Sequence, residues 1–232
     1  MAVARKALTR KAITGFTLIE LLIVITIMGL VIGAATFGYS LFSRHWDTSL
    51  RAFQRARDQY QRVALVERAL ADCLPWAVRD PSGKTGFYFL GREEGLTLVT
   101  GSAVFSPGYP AVIRVFREPD DDGRWRLVYE EAPLREVRLR EADQQLPFKH
   151  RMVVLRGLQQ LGFRYYGWSS AAQRAAASEG LTADTPQWFE EFDGLRRSQH
   201  PQKIAIRLGA AETLFPVPDR AEQAADRLVQ GV

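Results

Sequence analysis

Of 232 residues, one is cysteine, Cys73, and three are histidine. A single thiol excludes an internal disulfide, a disulfide-built scaffold and a cysteine-ligated zinc site. His45, His150 and His200 lie far apart in the chain, so no helix carries an HExxH-type pair. No internal repeat is present. Acids are missing from the first fifteen residues, and charge of either sign is missing from Leu21 to Phe42. Disorder is excluded by a balance of 47% hydrophobic and 25% charged positions. The length admits one large domain or two small ones. Net charge is +5, but without Arg5, Lys6, Arg10 and Lys11 it falls to +1. A protein made for nucleic acid keeps its charge in the folded body, so no nucleic-acid partner is expected.

The uncharged run Leu21–Phe42 holds 22 residues. As a helix it would extend roughly 33 Å, enough to cross a bilayer core. The basic residues before it predict a cytoplasmic N-terminus and an extracytoplasmic body. Gly33-Ala34-Ala35 resembles a signal-peptide cleavage site. Two features oppose that reading. The apolar run continues through Phe37, Tyr39, Leu41 and Phe42, and Glu20 stands at its start. A carboxylate costs up to about 2.5–3.5 kcal/mol at full membrane depth, and such a charge is normally kept for a partner.

Gly15-Phe16-Thr17-Leu18-Ile19-Glu20, after a basic leader and before a long apolar stretch, resembles the processing motif of type IV pilins and type II secretion pseudopilins. The resemblance implies that a membrane prepilin peptidase cuts between Gly15 and Phe16 and methylates the new amine of Phe16. The mature chain would then have 217 residues. Glu20 would serve assembly by pairing with a positive amine at a helix N-terminus, its own or a neighbour's.

Beyond Arg44-His45, apolar residues recur three and four apart at Trp46, Leu50, Phe53, Tyr60, Val63, Val66 or Ala69, and Leu70. A helix from Phe16 to about Leu74, ended by Pro75, would be roughly 90 Å long. Its stripe can pack on the domain's own sheet or on a neighbour's helix, and Trp46, Leu50, Phe53, Tyr60 and Val63 are the candidate interface. Strand patterns follow at Phe87–Leu90, Leu96–Val99, Ala111–Arg117, Arg124–Tyr129, Val137–Arg140, Met152–Leu155, Leu158–Trp168 and Lys203–Leu208. Pro119-Asp120-Asp121-Asp122-Gly123 reads as a hairpin turn. Residues 169–187 read as a surface loop with a helical turn, and Thr213–Val217 is ambiguous. The expected fold is α+β and pilin-like: a long N-terminal helix, half transmembrane and half amphipathic, on antiparallel sheet. The boundaries are a leader over 1–15, a membrane helix over 16–42, an amphipathic extension over 43–75, a β-rich domain over 76–218 and a tail over 219–232.

Gly83-Lys84-Thr85 resembles the end of a phosphate loop, but Val78 stands where the first glycine belongs and a strand pattern follows. Asp120–Asp122 lacks the twelfth-position glutamate of the usual calcium loop. The paired acids Glu93-Glu94 and Glu130-Glu131 are placed in no cleft by the sequence. Cys73 reads as a small buried apolar residue. No catalytic constellation, metal site or cofactor site emerges, so an enzyme is not expected.

Within the prepilin group, Leu65–Leu74 followed by Ala77–Asp80 resembles the helix end of J-type minor pseudopilins. The similarity continues through Leu127–Glu130, Val154–Leu158, Gly162–Tyr166, the segment near Trp188 and Pro201–Leu208. It covers most of residues 60–210 at the level of pattern. It implies a structural subunit of a pseudopilus tip at the bacterial inner membrane, its body periplasmic. The implied partners are I-type and K-type minor pseudopilins, the major pseudopilin, the prepilin peptidase and the inner-membrane assembly platform. Trp168 and Trp188 are interface or core candidates. The alternatives are a minor pilin of a type IV pilus and a membrane-tethered periplasmic enzyme or binding protein.

Overall fold

The computed structural model describes residues 17–80 and 82–219. They fall into two units, one ending at Ala56 and one beginning at Arg57. Helix α1, Leu18–Ala71, supplies the first unit and enters the second. Gly15, Phe16, the leader and the tail from 220 onward lie outside the described residues.

The second unit is built on antiparallel strands. A small hairpin pairs β1, Ala77–Arg79, with β2, Thr85–Phe87. The main sheet has six strands. These are β3 (Phe89–Arg92), β4 (Gly95–Thr100), β5 (Ala111–Pro119), β6 (Trp125–Pro133), β7 (His150–Leu158) and the two-residue β10 (Phe192–Asp193). Their order is β10-β3-β4-β5-β6-β7. A second sheet has order β12-β11-β8-β9, from β8 (Leu161–Gly167), β9 (Gln187–Phe189), β11 (Lys203–Leu208) and β12 (Ala211–Pro216). Two short helices, α2 (Ala171–Ser178) and α3 (Gly194–Arg197), complete the unit. The α+β expectation holds, with two sheets behind one helix end.

Alternation along the strands decides what is buried. In the register of β4, β5 and β6, Leu96 faces Val115 and Tyr129, and Leu98 faces Ile113. These residues join Val66, Ala69 and Leu70 of α1 and Phe163, Tyr165, Ile204 and Ile206 of the second sheet in one core. The opposite face of the six-stranded sheet carries a smaller core, where Val99 and Val112 meet Leu74, Val78, Tyr88, Leu139 and Leu195.

Three strand expectations and one helix end need correction. Phe87–Leu90 is not one strand: β2 ends at Phe87 and β3 begins at Phe89. Leu158–Trp168 is likewise two strands, because the chain turns at Gln159-Gln160 between β7 and β8. Val137–Arg140 forms no strand; that segment covers the smaller core through Leu139, and Arg140 O accepts from the Arg79 amide of β1 at 2.9 Å beside an isolated Arg79–Glu141 bridge. Helix α1 stops at Ala71, before Pro75. Its last carbonyls are claimed from the side: Thr100 Oγ1 donates to the carbonyls of Ala69 at 2.7 Å and Asp72 at 3.3 Å. The Gly101 amide also donates to Asp72 O at 3.0 Å. Those bonds satisfy groups that every helix end leaves orphaned.

Candidate functional site: the N-terminal helix and its surroundings

The start of α1 is a reciprocal cap. Glu20 accepts from the Thr17 amide and the Thr17 hydroxyl, each at 3.0 Å, while Thr17 Oγ1 accepts from the Glu20 amide at 3.4 Å. This is the Thr-x-x-Glu capping box, which serves two otherwise unpaired backbone donors. The spacing was legible in the sequence but hidden behind the other roles of Glu20. The cap leaves a carboxylate at the positive end of the helix dipole, where a second donor or an amine is also favoured.

From Leu18 to Ser40 the helix is long and apolar enough to cross a membrane, with a mean hydropathy of 2.6. Its hydroxyls spend themselves on their own backbone: Thr26 donates to Leu22 O, Thr36 to Ile32 O and Ser40 to Phe37 O, at 2.7–2.8 Å. The aliphatic hydroxyls of Thr26, Thr36 and Ser40 therefore do not require water. Gly29, Gly33 and Gly38 have open space where a Cβ would stand.

Further along, the apolar stripe divides. Val66, Ala69 and Leu70 are buried, and Val63 packs beside them on the main core. Phe53 and Tyr60 are 69% and 77% exposed. The side chains of Trp46 and Leu50 lie outside the described residues. Arg62 reaches sideways, donating to Val153 O on edge strand β7 at 3.1 Å, which blunts an edge that could template unwanted pairing.

Other sequence candidates fall into structural settings. Gly83-Lys84-Thr85 lies in the β1–β2 turn, where Asp80 accepts from Ser82 Oγ and the Lys84 amide. In the β5–β6 turn, Asp120 faces Arg126 at 3.6 Å and Arg156 at 3.2 Å, so two guanidiniums claim its carboxylate. Cys73 is buried, with Sγ 3.9 Å from Nδ1 of His200. The His200 ring packs on Phe87 and Phe89. The residue as a whole keeps some exposed surface, but Nε2 is sealed from solvent. It is the ring charge that burial penalises, and desolvation lowers the imidazole pKa to about 4.

Glu130 and Glu131 are adjacent in the sequence, yet their settings differ. Glu130 meets Arg114 on the outer face. Glu131 is fully buried, in phase with Tyr129, and its Oε2 accepts from the Tyr129 hydroxyl at 2.8 Å and the amides of Val104 and Phe105 at 2.8 and 3.0 Å. It thereby pins the loop between β4 and β5. Burial, with the Glu131 charge beside it, raises the Tyr129 pKa. Strand alternation was the signal that could have separated the two acids. A groove of about 500 Å³ lies over the end of β3 and β4, lined by Leu90, Arg92, Thr97, Arg114, Phe116 and Arg196 among others. Among the described residues, no group of three or more His, Cys, Asp or Glu is placed to hold a metal.

Residues 10–36 match the family model of the prokaryotic N-terminal methylation motif. The chain carries a type IV prepilin-like signal. The matched span covers the Gly15–Glu20 motif and most of the exposed apolar part of α1. This combination fits a single-pass, membrane-anchored protein. A search of curated proteins returned no match to the chain.

Proposed function

We propose that the protein is a J-type minor pseudopilin of the type II secretion system. In this reading it is a structural, non-enzymatic subunit of the pseudopilus tip that supports protein passage across the outer membrane. The observation that carries the reading is the methylation signal over residues 10–36, with Glu20 poised at the N-terminus of an apolar helix. The prepilin peptidase would cut after Gly15 and methylate Phe16. The helix would then leave the inner membrane at the assembly platform and pack among neighbouring helices, while the β-rich body stays periplasmic. The choice of J-type rests on the sequence pattern over residues 60–210. Its partners would be the I-type and K-type minor pseudopilins and the major pseudopilin, with Phe53 and Tyr60 available for helix contacts.

A carboxylate that orders assembly should be dispensable for insertion. Glu20→Ala is expected to leave the protein in the inner membrane and to abolish, or reduce severalfold, secretion of the host's type II substrates. Membrane fractionation and assay of secreted enzyme read both effects. Normal secretion with Glu20→Ala would remove that role. Deleting the gene separates the two systems: lost secretion with intact pili supports the pseudopilin reading, and lost pili with intact secretion assigns the protein to a type IV pilus.

A further inference from the structure

Two sheet faces point away from the main core, and they treat their cations differently. On the six-stranded sheet the outward arginines are matched to acids: Arg114 to Glu130, Arg126 and Arg151 to Glu118, and Arg156 to Asp120. The four-stranded sheet sends Phe163, Tyr165, Ile204 and Ile206 inward, and alternation therefore sends Arg164, Tyr166, Lys203 and Arg207 outward. Trp188 of β9 lies opposite Tyr166, with ring centroids 5.2 Å apart.

Two of these three cations, Arg164 and Lys203, are braced by rings. The Arg164 guanidinium lies 5.2 Å from the Trp188 ring centre, and the Lys203 ammonium 5.4 Å from that of Tyr166. The nearest acids in register are Glu212, opposite Arg207, and Glu190, just past β9. Among the described residues neither comes within 4 Å of Arg164, Lys203 or Arg207 as an ion pair. A cation over a ring is held in place, yet it keeps its charge and its outward donors. Leu214, half exposed on neighbouring β12, adds an apolar platform. Tryptophan, tyrosine and arginine are the residue types that dominate interface energetics.

We propose that this face docks an acidic, extended polypeptide segment of a partner protein. Its carboxylates meet Arg164, Lys203 and Arg207, and an apolar side chain rests on Leu214. A nucleic-acid strand fits less well, because base stacking needs free ring faces and those of Trp188 and Tyr166 already carry cations. The inference stands independently of the secretion-tip reading, since it concerns only the chemistry of one surface.

The full chain in neutral detergent is titrated against fluorescein-labelled decaglutamate, with anisotropy as the readout. Saturable binding that weakens as salt rises is expected. The Arg164→Gln/Lys203→Gln/Arg207→Gln variant should bind at least about tenfold more weakly, as expected when interface hot spots are lost. The charge-matched control Arg135→Gln/Arg138→Gln/Arg140→Gln should bind as the parent does. Thermal melts confirm folding, and Lys203→Glu alone, at an exposed position, gives the same direction if the triple variant does not fold. The proposal is overturned if decaglutamate does not bind, if the outer-face and control variants behave alike, or if oligothymidine binds more tightly than decaglutamate.

Discussion

His200 shows how one sealed atom sets a pH response. Its imidazole is neutral in the folded state because Nε2 is closed off and desolvation lowers the pKa to about 4. The unfolded chain takes up a proton below about 6.5. Between these values the unfolded state binds more protons, so stability is lost as pH falls through this window. The expected loss is about 2 kcal/mol between pH 7 and pH 5, read from urea midpoints by tryptophan fluorescence. The His200→Gln variant should lack that slope. Gly91 carries a steric requirement of the same local kind. A Cβ there would lie 2.5 Å from the Tyr165 ring, whose hydroxyl is tied to the carbonyls of Arg92 and Gly95 at 2.9 Å. Gly91→Ala should therefore destabilise the protein by about 1–3 kcal/mol, the usual cost of overpacking. Neither residue was legible beforehand: a lone histidine and a strand glycine carry no pattern, and their neighbours come from distant strands.

At the scale of the element, α1 changes its role along its length. Near its start it is exposed and apolar, and near its end it is part of the main core. The spacing of three and four reads as one apolar stripe from Trp46 to Leu70, open either to the domain's own sheet or to a neighbour's helix. The structure separates Tyr60, which is exposed, from Val63, Val66 and Leu70, which lie against the sheets. Periodicity identifies a helix face but not which height of it meets the body. Two substitutions distinguish these heights. Leu70→Ala should cost about 2–5 kcal/mol by leaving a cavity. Tyr60→Ser should stay within about 0.5 kcal/mol of the parent. Thermal or urea unfolding of both proteins, compared in the same detergent, reads the difference. If Tyr60 serves a neighbour, its loss will appear in assembly and not in stability.

For the whole molecule, the prepilin-like signal predicts a processed chain. Protein recovered from membranes of a host with the peptidase should yield an N-terminal peptide beginning at methylated Phe16 by mass spectrometry. Gly15→Leu should retain the leader, because a bulky side chain then blocks the cleavage position. Recovery of unprocessed wild-type protein beside an active peptidase would oppose the reading. The body shows why the rest of the fold was only partly readable. The β5–β6 hairpin was legible from Asp120–Gly123 between two alternating runs, and its register runs from Pro119↔Trp125 to Ala111↔Pro133. The β7–β8 turn was not, since Gln159-Gln160 carries no glycine or proline signal. Segment 137–140 has the alternation of a strand but ends as a cover over the smaller core.

The sequence by itself determined the motif chemistry, the apolar helix, the antiparallel character of the body and the absence of disulfides. Each of these depends on residue type and local spacing. Only the tertiary structure decided where α1 stops, that Glu131 is buried while Glu130 is paired outside, and that Arg164 and Lys203 are held by aromatic rings. Those outcomes depend on which distant strand supplies the neighbouring atom. Thr100 must reach the end of α1, Val104 and Phe105 must fold over Glu131, and β9 must bring Trp188 beside β8. Local spacing carries no information about contacts of that range.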